Sequence, residues 1–343
     1  MNRNTSFALL LTLATLASVK ALDLKRHIRQ PLTATKVATL TPLREEQILT
    51  PGELVEPAAR PTRRTTSGAT ALKNAFADAR AEGRATLIPY LTAGYPTKDE
   101  TVDLLLATQA GGADVIELGV PCSDPFMDGP VIATCHEVAR QQDVDLTQCL
   151  SDVMTAREKG LTVPVILMGY DGPFVEHGWT RLADDAVTAG VDGFLVPDCP
   201  SHEIDGVAAA LATRGRAFVP LVTPTTTKLD EVVDLAQRTG GSMLYVISKP
   251  GKTGCSAAGV SDVAPRMDQV RRAAGDVPTT IGFGVSTPEH VRAFAPLADG
   301  VVVGSALIRE INKGRSPYER RNIARSFVGR LAAATWAPRA GGF

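Results

Sequence analysis

The sequence predicts one α/β domain, a (β/α)8 TIM barrel with an extra N-terminal helix, preceded by a segment that takes no part in the fold. Three observations lead there. From Ser67 onward, short apolar runs of β type alternate with helix-length segments, the pattern of a parallel sheet. There are eight such units in roughly 275 residues, close to the ~250 typical of this barrel. A doubly wound open sheet is the alternative, but no G-x-G-x-x-G follows the first strand.

After Asn2 and Arg3 comes an apolar run from Phe7 to Val19, ending in Val19-Lys20-Ala21. The run is short for a membrane span, and the small residues at its end suit a cleavage site, so residues 1–21 read as a signal peptide. Residues 22–65 carry scattered basics (Arg26, Arg29, Lys36, Arg60, Arg63, Arg64), with repeated Thr and Pro and no sustained periodicity. Signal plus basic segment resembles the two-part address of plastid proteins in algae with complex plastids. Glu45, Glu46, Glu53 and Glu56 are more acid than transit segments usually carry. A plain secretory signal with a disordered linker is the alternative. Residues 66–343 are expected to form the catalytic barrel.

Within the barrel, Thr70–Arg80 puts Leu72, Phe76 and Ala79 on one face and reads as a helix plugging the bottom. The strand candidates follow as 86–91, 114–118, 163–168, 193–196, 217–222, 243–248, 279–283 and 300–303. Helical patterns lie between them, among them Thr101–Thr108 and Leu229–Arg238. Near the C-terminus Ile323, Phe327 and Leu331 recur on one face between Arg320, Arg325 and Arg330, an amphipathic helix packing on the body.

Composition excludes several classes. Lys plus Arg is 36 against 37 Asp plus Glu, so nothing global draws the chain to nucleic acid or a membrane surface. The five cysteines (Cys122, Cys135, Cys149, Cys199, Cys255) are odd in number and contain no C-x-x-C. That argues against a disulfide framework and a zinc site and points to a reducing compartment. His27, His136, His177, His202 and His290 form no ligand spacing and none falls at a strand end; solvated or structural roles fit them, and no metal is expected.

In this architecture catalytic residues sit at strand C-terminal ends and in the loops that follow. Glu117 lies inside the apolar second strand, where burial raises a carboxyl pKa toward neutrality and makes a general acid or base. Asp128 follows on a loop stiffened by Pro121, Pro125 and Pro130, within reach of the same cavity. The bland alternatives are an internal ion pair for Glu117 and a helix N-cap for Asp128. Strand 6 offers Tyr245 pointing inward, then Lys249-Pro250-Gly251-Lys252-Thr253-Gly254, a Gly-bounded loop able to act as a lid. Strands 7 and 8 end in Gly282-Phe283-Gly284-Val285-Ser286 and Gly304-Ser305. Glycines there let backbone amides approach an anion, and the loops after strands 7 and 8 are the usual phosphate site of the fold.

Taken together, these segments resemble the tryptophan synthase alpha subunit family. The residues that match are Pro89-Tyr90-Leu91-Thr92-Ala93-Gly94-Tyr95-Pro96, Glu117-Leu118-Gly119-Val120-Pro121 and Ser123-Asp124-Pro125, followed by Asp128-Gly129-Pro130 and Ile166-Leu167-Met168-Gly169-Tyr170. Then come Val196-Pro197-Asp198, Thr223-Pro224-Thr225, Thr253-Gly254, Gly282-Phe283-Gly284-Val285-Ser286 and Gly304-Ser305-Ala306. The resemblance implies retro-aldol cleavage of indole-3-glycerol phosphate to indole and glyceraldehyde 3-phosphate, with no cofactor of its own. By similarity Glu117 is the main acid/base, Asp128 holds the indole nitrogen and Tyr245 lines the cavity. Gly254, Gly284, Gly304 and Ser305 bind phosphate, while Thr253 on the lid touches Asp128 on closure. The family pattern also implies a β-subunit partner carrying pyridoxal phosphate, in an α2β2 heterotetramer.

The sequence departs from the family at Asp171-Gly172, where Tyr-Asn is usual, at Lys249 for Arg, and at Lys252 for an apolar residue. Ala133-Thr134 replaces a Gln-Asn-like pair, and Phe126-Met127 stands where Leu-Ala is common. These positions surround the pocket and the subunit interface, and they bear on full activity and on the tunnel by which, as the resemblance implies, indole passes to the β subunit. Three other readings stand beside the main one: a free-standing lyase, a weakly active activator of a β subunit, and a Schiff-base aldolase using Lys249.

Overall fold

A computed structural model describes residues 66–247, 259–282 and 284–336. Residues 1–65, read above as a signal peptide and a transit-like segment, lie outside these residues, as do Ser248 to Ala258 with Lys249, Lys252, Thr253, Gly254 and Cys255, and Phe283.

The chain opens with helix α1 (Gly68–Ala81) and strand β1 (Thr86–Thr92), then α2 (Thr101–Ala110), β2 (Ile116–Gly119), α3 (Pro130–Arg140), α4 (Leu146–Glu158) and β3 (Val165–Met168). It continues through α5 (Asp171–His177), α6 (Trp179–Ala189), β4 (Gly193–Leu195), α7 (Ile204–Ala212), β5 (Ala217–Phe218), β6 (Leu221–Val222), α8 (Leu229–Arg238) and β7 (Leu244–Val246). Last come α9 (Val260–Ala274), β8 (Thr279–Ile281), α10 (Pro288–Phe294), β9 (Gly300–Val303), α11 (Ser305–Ile311) and α12 (Pro317–Ala333). All strand pairs are parallel, in the order β5-β4-β3-β2-β1-β9-β8-β7-β6.

The two ends of that order, β5 and β6, are the halves of one predicted run, 217–222. Pro220 interrupts it because proline has no N–H to give a ladder. The run nevertheless serves both neighbours. Val219 N–H donates to Phe194 of β4, and the Pro220 carbonyl accepts from Tyr245 of β7. The ring of strands therefore closes through this run, and nine short pieces make the eight strands of the barrel.

Inward residues of the strands form an apolar interior that includes Ile88, Val115, Ala217, Val219 and Val302. Leu72 and Phe76 of α1 belong to the same cluster, so this helix does plug the bottom. A larger cluster fills the layer between the outer strand faces and the helices. In α12 the buried face is Ala324, Phe327, Val328 and Leu331, rotated slightly from the predicted stripe. Arg320 of this helix grips the buried Glu100 with two hydrogen bonds of 2.7 Å, joining the end of the chain to the start of α2.

The bottom of the barrel repeats one device three times. Asp114, Asp192 and Asp299 are buried just before β2, β4 and β9. Each backbone N–H donates to the carbonyl of a residue on a neighbouring strand (Leu87, Val165, Thr279), and each carboxylate accepts that same residue's N–H at 2.9 Å. Arginines Arg84, Arg157 and Arg80 pair with the three carboxylates. Asp192 also accepts the Gly68 N–H, which fixes the start of the plug helix. The three buried carboxylates are thereby each paired with an arginine and a backbone N–H, as burial requires.

Candidate active site

The strand ends opposite these clamps surround a cavity lined by Tyr90, Glu117, Asp128, Ile132, Met168 and Tyr245 on one side. The other side is formed by Gly282, Gly284 to Ser286, Val302, Gly304 to Ala306 and Arg309. The cavity volume is about 170 Å³.

Glu117 sits in β2, in register with Tyr90 on β1, so the two side chains stand next to each other on the inner wall. It is buried, and no ion-pair partner faces it among the described residues. Burial first, and the charge of Asp128 second, lift its carboxyl to about 8. At neutral pH this group therefore holds a proton that it can give away. The ion-pair alternative for Glu117 finds no support.

Asp128 is also buried, at the end of the loop after β2. The N-cap of α3 is Gly129, without a side-chain cap bond, so Asp128 is not a helix cap. Its Oδ2 accepts the Tyr170 hydroxyl at 2.9 Å, and His136 Nε2 stands 3.6 Å from the same oxygen. The Tyr170 hydroxyl in turn accepts the Met127 N–H at 3.2 Å.

Two tyrosines shape the apolar part. A side chain at Gly119 would collide with the Tyr90 ring, and one at Gly282 with the Tyr245 ring, so each ring lies flat over a neighbouring strand only because glycine is there. Burial, with added repulsion from the acidic pair, pushes both phenols well above their ordinary range and keeps them neutral. The Tyr90 oxygen accepts the Thr92 hydroxyl at 3.1 Å.

The far wall has a different character. Gly284 holds a φ of +77°, open to few residues other than glycine. At Gly304 an added Cβ would meet only ordinary contacts, 3.5 Å to Tyr90 Cβ and 3.6 Å to Ile132 Cδ1. Protein packing alone does not call for glycine there. Ser305 follows at the start of α11, and both it and Ala306 line the cavity.

The structure thus brings Glu117, Asp128, Tyr245, Gly284, Gly304 and Ser305 to one cavity, while Thr253 and Gly254 lie outside the described residues. Sequence reasoning gave no role to Tyr170, His136 or Arg309. Tyr170 falls just past β3, where the strand-end rule could have found it. The signal for His136 is weaker: it shares the buried face of α3 with Ile132, four residues before it.

Residues 76–335 match the family described as tryptophan synthase alpha chain. The chain belongs to that family. A tryptophan synthase of Saccharomyces cerevisiae is 42% identical over 258 residues, 75% of this chain but 36% of the yeast protein. The alpha chain of Phenylobacterium zucineum is 42% identical over 238 residues, covering 69% of this chain and 84% of its own length. Among solved structures, the alpha subunit from Legionella pneumophila superposes with a TM-score of 0.70 at 32% identity, covering 77% of this chain and 98% of its own. Against the family pattern, Asp171 opens α5, where its N–H donates to Asp198 Oδ1 at 2.8 Å. Phe126 is half exposed and leans on Tyr170, ring centroids 5.2 Å apart.

Proposed function

We propose that this chain cleaves indole-3-glycerol phosphate into indole and glyceraldehyde 3-phosphate, a carbon–carbon lyase step that needs no cofactor on this chain. The observation that carries the reading is Glu117: a protonated carboxyl buried in the barrel mouth beside a second carboxylate, over a floor suited to an aromatic ring.

Retro-aldol cleavage needs a proton on the ring carbon that leaves. Glu117 delivers it, and Asp128 accepts a hydrogen bond from the indole N–H, stabilising the positive charge that develops on the ring. The Glu117 carboxylate then takes the proton of the side-chain hydroxyl. As that O–H breaks, a carbonyl forms, the C–C bond breaks, and its electron pair returns to the indole ring. Glu117 ends protonated, as it began. Tyr90, Tyr245 and Met168 hold the ring, and the backbone at Gly284, Gly304 and Ser305 receives the phosphate.

The partner in this reading is a β subunit that consumes indole by pyridoxal phosphate chemistry. The half-exposed Phe126 on the loop after β2 is free to meet such a partner. The first 65 residues are read as a plastid address, which a fluorescent fusion of that segment tests by its location. The central test is steady-state cleavage of indole-3-glycerol phosphate by the full chain, with and without a β subunit. Low basal turnover that rises strongly with the partner is expected. No cleavage under either condition would overturn the reading, and fast turnover without the partner would make the chain a free-standing lyase.

A further inference from the structure

We propose that His136 is a positioning residue that clasps both ends of the loop carrying Asp128, its ring proton on Nε2. The proposal rests on the role given above to Asp128. His136 is fully buried on α3, and its two ring nitrogens face opposite ends of one loop. Nδ1 accepts the Cys122 N–H at 3.1 Å, near the loop's start. Nε2 stands 3.6 Å from Asp128 Oδ2, at its end.

The tautomer follows from the first of these contacts. A ring nitrogen that accepts a hydrogen bond carries no proton, so a neutral imidazole must bear its hydrogen on Nε2. An imidazolium would set an N–H at Nδ1 against the N–H of Cys122. Burial independently disfavours the charged ring, lowering it to about 4. The Nε2 hydrogen therefore faces Asp128, the same oxygen that takes the Tyr170 hydroxyl.

Packing alone does not explain a histidine here. The other buried positions of α3 are Ile132, Cys135 and Ala139, and an apolar side chain would fill the space without desolvating two ring nitrogens. Nε2 is buried without a formed hydrogen bond, since 3.6 Å is longer than such a bond allows. Catalytic hydrogen bonds are often long without substrate and tighten when it binds. A shift of a few tenths of an ångström in Asp128, as it meets an indole N–H, closes this one. The clasp thereby holds the carboxylate's rotamer once substrate is bound.

Two substitutions separate the two contacts. In His136→Asn the amide oxygen can replace Nδ1 toward Cys122, while the donor toward Asp128 is lost. In His136→Gln the longer amide can reach Asp128 as a donor, while the acceptor for Cys122 is lost. The expected result in indole-3-glycerol phosphate cleavage is a fall in kcat of roughly 10- to 100-fold for His136→Asn, with KM much less affected. His136→Gln should keep kcat within about threefold. Equal losses in both variants, or a loss confined to KM, would overturn the proposal. Side-chain 15N spectra of the full wild-type chain judge the clasp without any turnover. A neutral ring with its proton on Nε2 between pH 5 and 8 supports it, and a proton on Nδ1 or a charged ring in that range refutes it. Absence of cleavage by the wild type would sink the functional reading while the spectra still decide the clasp.

Discussion

The charge of Asp128 acts on the proton of Glu117: burial accounts for most of the rise of the Glu117 carboxyl to about 8, and Asp128 for the remainder. Asp128→Asn removes a negative charge from the neighbourhood of a group that would itself become negative. Glu117 should then lose its proton at lower pH. A 13C titration of the Glu117 carboxyl reads this directly, even where turnover is too slow to follow. A midpoint that stays near the wild-type value would mean that the two carboxylates do not sense each other.

In the wild type the same group sets the alkaline limb of activity. Glu117 must begin protonated, so kcat/KM should fall as pH rises through about 8. A profile flat to beyond pH 9 would show that another group supplies the proton.

Glu117→Gln should remove activity by about 10²- to 10⁴-fold, the usual worth of a general acid. It should also stabilise the fold at alkaline pH. The folded carboxyl titrates near 8 and the unfolded one near its ordinary 4.5, so between those values the folded state binds more protons. Glu117's contribution to wild-type stability is therefore fullest below about pH 4.5 and is lost as pH rises from there through 8. Glutamine carries no such proton, and its advantage over the wild type should grow by up to ~1.4 kcal/mol per pH unit in that window. Denaturant melts at pH 5 and pH 8 check this; a constant difference would contradict it.

At the far wall, Gly304→Ala adds a methyl where the protein leaves room for one. Stability should change little. Affinity for the phosphate-bearing substrate should drop about tenfold or more, because the methyl stands where backbone amides must approach the anion. Inorganic phosphate competing equally well in both proteins would remove Gly304 from the phosphate site.

Asp192→Ala tests the opposite end of the barrel. It strips the N–H groups of Gly68 and Val165 of an acceptor and leaves Arg157 without its carboxylate. A loss of about 3–5 kcal/mol is expected for a broken buried pair. At a temperature where the variant remains folded, kcat should stay near the wild-type value. A large kcat loss with intact folding would show that the plug helix communicates with the cavity.

Much of this was legible in the sequence because period and position carry it. Eight apolar runs and their spacing specify the ring, and the strand-end rule then isolates Glu117, Asp128, Gly284 and Gly304. The split at Pro220 was missed because an apolar run with a proline still reads as one strand. The triad of Asp114, Asp192 and Asp299 was invisible for another reason. Each aspartate acts on a neighbouring strand far away in the chain, so no local pattern marks it. His136 escaped likewise: helical phase places it on a buried face, but only the folded loop shows that both its nitrogens meet polar partners.

The aspartate clamps hold the ring shut from the end of the barrel away from the cavity, and they share no residue with the catalytic wall. The upper loops are consequently free to change without loosening the clamps. Replacements such as Asp171-Gly172 and Phe126-Met127 can accumulate, and alter which partner docks or how fast product leaves, without touching the latches that keep the barrel folded. Sequence novelty in this lineage is expected to collect at the mouth.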